Sequence, residues 1–137
     1  MVAQVPSRAQ LEVIAKRHGL RLIVLFGSQV TGRTHPESDV DVAVLARRPV
    51  SEAKRLALWR DLSDAVGADV DLTLMDRVGP VLQNRIAREG RLLYEAGRRE
   101  WENYRSYLVR RYWDSAKFIE ATADYVARRV QEMRRVR

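Results

Sequence analysis

A chain of 137 residues with 46% hydrophobic and 31% charged residues has the length of one domain and the composition of a globular one, which excludes a disordered or collagen-like polymer. Apolar runs such as residues 22–26 are far too short to span a bilayer, the chain does not open on a basic segment followed by an apolar stretch, and the absence of cysteine removes disulfides and thiolate zinc sites. A soluble, cytoplasmic protein with no membrane partner is expected. The formal charge of +7 is uneven, with 11 basic and 6 acidic residues between Arg98 and Arg137. A run of this kind is usually a solvated helix face, so a nucleic-acid partner is not favoured.

In chain order, Ser7 with Gln10 three residues on reads as a capping box, Leu11, Ile14 and Ala15 supply an apolar stripe, and Gly19 sits where a C-terminal cap belongs, so a helix is expected over residues 7–18. The β-rich run LRLIVLF follows and delivers the chain to Gly27 and Ser28. Residues 28–38 read as a turn or one helical turn plus loop, closed by Pro36. A second strand over residues 39–45 places Val40, Val42 and Val44 on one face and Asp39, Asp41, Ala43 and Leu45 on the other. Ser51 then caps a helix with Leu56, Trp59, Leu62, Ser63 and Val66 on its inner side and Gly67 at its end. The third strand, DVDLTLM, turns Val70, Leu72 and Leu74 inward and Asp69, Asp71, Thr73 and Met75 outward. These two strands share one design, so the sheet is expected to carry helices on one face and to be partly open on the other. A helix with Val81, Leu82 and Ile86 inward and a short strand RLLYE complete it.

From Arg98, apolar or small residues recur in steps of three and four, from Trp101, Tyr104 and Leu108 to Val126, Val130 and Met133. One helix of about 35 residues, or two in series, is expected; a single one would run about 50 Å, so that part of it must bend back or meet another protein. Gly97 is the plausible joint between a domain over residues 1–97 and an amphipathic basic extension over residues 98–137, which is not an independent domain.

Two aspartates on one strand face repel each other, and a fold that keeps them needs a counter-charge. Magnesium takes hard oxygen ligands and is commonly held by one or two carboxylates plus substrate phosphates. Asp39 and Asp41 could share a pair of such ions, with Asp71 brought alongside by strand pairing, a two-metal arrangement suited to in-line displacement at phosphorus. Gly27 would let a phosphate approach the backbone, the Ser28 hydroxyl would help hold a triphosphate, and Arg33, after the turn at Gly32, is placed to assist. His35 lies close by but reads as a loop histidine.

The stretch GSQVTGRTHPESDVDVAVL resembles the signature of the DNA polymerase beta-type nucleotidyltransferase superfamily, in its minimal nucleotidyltransferase branch. VDLTLMDRVGPVLQNRIAREGRLLYE resembles the segment where that family carries its third carboxylate on a strand, followed by a helix and a strand. The resemblance implies an α/β (α+β) mixed sheet like the polymerase beta palm, two Mg2+ ions on Asp39, Asp41 and Asp71 as catalytic carboxylates, and ATP as substrate bound by Gly27 and Ser28, with Arg33 added to the nucleotide-binding set from its position alone. Asp69 shares the strand face of Asp71 and is the alternative third carboxylate. Minimal members of this branch are commonly antitoxins of HEPN-domain ribonuclease toxins, which implies transfer of AMP to a toxin tyrosine within a hetero-oligomer. Alternatives are transfer to a small molecule or an RNA end, or neutralisation of the toxin by binding alone.

Overall fold

The run Leu20–Phe26 is apolar except for Arg21, as an inner strand buried on both faces requires. The computed structural model describes residues 4–27 and 39–136. Among these, the order is α1 (Arg8–His18), β1 (Leu20–Phe26), β2 (Val40–Ala46), α2 (Glu52–Val66), β3 (Val70–Leu74), α3 (Pro80–Glu89), β4 (Arg91–Glu95) and α4 (Glu100–Arg135). The four strands form one mixed sheet in the order β3-β2-β1-β4: β1 is antiparallel to both β2 and β4, and β2 is parallel to β3 across the α2 connection.

Local signals set the ends of the helices. The Ser7 hydroxyl accepts from the Gln10 N–H and the Gln10 side chain accepts from the Ser7 N–H, while Gly19 ends α1 in the left-handed region. Ser51 caps α2 by accepting from the Lys54 N–H. Leu11 and Ile14 of α1 and Leu58, Leu62 and Val66 of α2 pack on Ile23, Leu25, Val42, Val44, Leu72 and Leu74. Each such buried aliphatic side chain contributes about 1.5–3 kcal/mol relative to exposure.

Helices α1 and α2 thus lie on one face, as expected, and the opposite face is less open than its aspartates suggest. Leu22, Val24, Phe26, Ala43, Leu45 and Met75 pack there beneath Ile86 of α3 and Trp101 of α4. Met75, expected to point outward, is fully buried, because the chain turns just after β3 and brings α3 back over the sheet. Two helical faces also differ in phase from expectation. In α2 the buried row is Leu58, Leu62 and Val66, which leaves Leu56 52% exposed; in α3 Val81 is exposed, and Gln83 is buried and donates to the Met75 carbonyl at 2.9 Å. The tail is one helix of 36 residues that does not bend back: Trp101 and Leu108 are its buried residues, and nothing described beyond Leu108 is buried.

Candidate active site

Three elements converge where β1 ends and β2 begins. In the ladder, Asp41 stands opposite Phe26 on one side and opposite Asp71 on the other. Opposed residues of neighbouring strands send their side chains to the same face, so the two carboxyls lie next to each other on the face that also carries Ala43, beyond the cover of Trp101. Asp39, exposed, directly precedes β2 and Asp69 directly precedes β3. The register therefore sets Asp71, not Asp69, against Asp41; the Asp69 carbonyl instead accepts from the Val40 N–H at 3.2 Å.

Gly27 closes the site from the β1 side. Its φ of 77° lies in the left-handed region, and a Cβ built there would stand 2.1 Å from Asp41 Oδ2. Any side chain at this position would collide with the carboxylate, so glycine is required twice, for its backbone and for the space. Burial pushes the Asp41 carboxyl above its ordinary range, and the Asp71 charge pushes it further; Arg85 opposes this, and Asp39 and a hydrogen bond with Asp71 add to it. This end of the sheet is thus a place where negative charge accumulates at a cost. Among the described residues no three acidic or histidine side chains close on one point as a ready cation cage. Ser28 and Arg33, with Gly32 and His35, lie outside the described residues.

Arg85 of α3 was not singled out by the sequence. It reaches the field of Asp41 only because α3 folds back over the sheet, and in the linear pattern it is one of 25 basic residues with no distinguishing spacing. It also pairs with Glu89 one turn on, at 3.2 Å. Among the described helices, none is long and apolar enough to cross a membrane.

The family model for polymerase beta nucleotidyltransferases matches residues 9–99. The protein adenylyltransferase MntA of Shewanella oneidensis is 37% identical over 75 residues, which are 55% of this chain and 54% of that relative, so the match spans about half of its length. The MntA of Aphanizomenon flos-aquae is 23% identical over 124 residues, 80% of this chain and 83% of that one. Among solved structures, a toxin-antitoxin crystal structure with AMP-PNP superposes with a TM-score of 0.72 at 27% identity, covering 88% of this chain and 98% of that one.

Proposed function

The chain belongs to the polymerase beta nucleotidyltransferase family, and from that premise we propose that it is a magnesium-dependent protein adenylyltransferase that transfers AMP from ATP to a tyrosine hydroxyl of a HEPN-domain toxin and so neutralises it. The partner would be held in a cytoplasmic hetero-oligomer. One observation carries the reading: Asp41 and Asp71, adjacent on one face with Asp39 in range, are crowded against a glycine that leaves room for them. Support also comes from the relatives, one named a protein adenylyltransferase and one solved as a toxin-antitoxin with AMP-PNP.

The donor set fits magnesium, being all hard carboxylate oxygen and under a mutual repulsion that a divalent cation relieves. Held by Asp39, Asp41 and Asp71, the ions would supply charge neutralisation at the phosphoryl oxygens. Gly27, Ser28 and Arg33 bind and orient the triphosphate in this reading. The tyrosine oxygen bonds to the α-phosphorus while its proton passes to Asp71, the bond from that phosphorus to the bridging oxygen breaks, and pyrophosphate leaves. In this reading residues 1–97 are the transferase unit and 98–137 an extension that is not an independent domain, a dependence supported by Trp101, which packs into the cluster on the sheet.

A second reading, neutralisation by binding alone, is favoured by the exposed apolar residues of α4, among them Phe118, Ile119, Val126 and Met133. Labelled ATP, magnesium and the cognate toxin separate the two when the intact mass of each chain is read. AMP added to the toxin, and lost in the Asp39→Asn, Asp41→Asn double variant with an unchanged melting temperature, is expected. Transfer that survives in that variant would overturn the site, and a toxin silenced without any mass gain would favour binding.

A further inference from the structure

Strand β3 is an edge of the sheet, and the polar groups along that edge are not evenly closed. The Val40 N–H bonds to the Asp69 carbonyl and the Met75 N–H to the Val44 carbonyl, so the backbone groups of Asp71 and Thr73 face β2 and those of Val70, Leu72 and Leu74 face outward. At Val70 helix α2 fills the edge: the Ser63 hydroxyl accepts from its N–H at 3.3 Å and the Trp59 indole donates to its carbonyl at 2.7 Å. At Leu74 the carbonyl accepts from the Arg77 N–H. Between these closures, the N–H and carbonyl of Leu72 and the N–H of Leu74 have no partner among the described residues. Beside them lies a groove of about 580 Å³ lined by Arg55, Leu56, Trp59, Leu72 and Asp71 itself.

Resting on the nucleotidyl-transfer reading above, we propose that this edge is the acceptor-docking site: an extended segment of the toxin adds to β3 as a further strand and presents its tyrosine beside Asp71. Three unpaired main-chain groups in a row specify an extended peptide backbone, not a small molecule or a sugar hydroxyl. Side chains of an added strand alternate between the two faces of the sheet. A tyrosine on the aspartate face lies against Asp71, and its two neighbours fall on the other face, where Leu56 stands half exposed next to Trp59. The acceptor segment therefore reads apolar, tyrosine, apolar, and the exposed Leu56, out of phase with the core of α2, becomes part of a binding face.

The test compares steady-state AMP transfer to the toxin by the unchanged protein, Leu56→Glu and Leu56→Met. Leu56 stands on α2, which covers the face of the sheet opposite the one that carries Asp41 and Asp71, so Leu56→Glu is expected to raise KM for the toxin by about tenfold with kcat within about twofold and KM for ATP unchanged, while Leu56→Met behaves as the parent. An unchanged toxin KM in Leu56→Glu overturns the docking edge while leaving the transferase reading standing; absence of transfer by the unchanged protein overturns both. Hydrogen exchange over residues 70–76 gives a second measure: the Leu72 and Leu74 amides are expected to be fast in the isolated protein and protected in the complex of the Asp39→Asn, Asp41→Asn variant with toxin. Protection that rises with concentration of the protein alone marks edge pairing of two copies and overturns the proposal.

Discussion

The sheet and the far half of α4 both show apolar periodicity, and they use it in opposite ways. In α1 and α2 the periodic residues meet strands and disappear from solvent. Beyond Leu108, Ile119, Val126, Val130 and Met133 recur along one helix of 36 residues and remain exposed. Periodicity thus fixes which face a helix offers, and only packing decides whether the chain itself supplies what that face meets. Among the described residues, none beyond Leu108 joins the packed clusters of the sheet, whereas the first turns of that helix, with Trp101 beside Phe26, Met75 and Ile86, are part of them.

The largest effect that sharpens this contrast is at Trp101. Trp101→Ala removes a side chain buried in the second-face cluster and is expected to cost about 3–5 kcal/mol in denaturant unfolding. A cost under about 1 kcal/mol would mean that α4 is as detached at its start as at its end. Next comes Gly27→Ala, where a left-handed backbone and a Cβ at 2.1 Å from the Asp41 carboxylate combine. A loss of about 1–2 kcal/mol is expected, together with a fall in transfer activity of at least about tenfold, because Asp41 must move to make room.

These positions show what the sequence made legible. The caps at Ser7, Ser51 and Gly19 and the alternation of both aspartate strands depend on neighbours within four residues, and they appear in the structure as expected. The phase of helices did not: Leu56 and Leu58 are equally apolar, and the choice between them depends on where α2 crosses Leu72 and Leu74. Gln83 is buried in place of Val81 for a similar reason, since the Met75 carbonyl that it satisfies comes from another element. At the aspartate end, the side of the sheet on which Asp41 and Asp71 lie followed from alternation alone, whereas Asp39, expected on the same strand, stands just before β2. Setting Asp71 instead of Asp69 against Asp41 required the register of β3, which no local signal carries, and Arg85 required the return of α3.

A smaller effect compares ion pairs in the two regions. Asp61 of α2 holds His18 at 2.6 Å and Arg17 at 3.1 Å, tying α1 to α2, whereas Arg129 and Glu132 in the distal helix pair only along their own helix. The hydrogen bond from His18 holds the Asp61 carboxyl below 3.8 despite its partial burial, and Arg17 adds to the effect. Because its folded value is the lower one, the contribution of Asp61 is complete above pH 3.8 and is lost as the pH falls through the folded value. Asp61→Asn is expected to cost about 0.5–1 kcal/mol at neutral pH, and the two stability curves should merge in acid. Curves that stay apart below that range would place the effect of Asp61 in packing and not in charge.

The smallest expected effect is the one that bears most directly on the contrast. Val126→Asn with Val130→Asn alters two exposed side chains that touch no strand, so the isolated protein should unfold within about 0.5 kcal/mol of the parent. The same change should weaken the complex with the toxin by about tenfold or more, if the distal face is completed by that partner. The two readouts must be taken together. A stability loss of about 2 kcal/mol in the isolated protein would mean that the distal helix folds back on its own domain in solution. Unchanged stability with unchanged affinity would leave the apolar row without a packing role in either state, and the difference between the two regions would then lie in what each tolerates, not in what each binds.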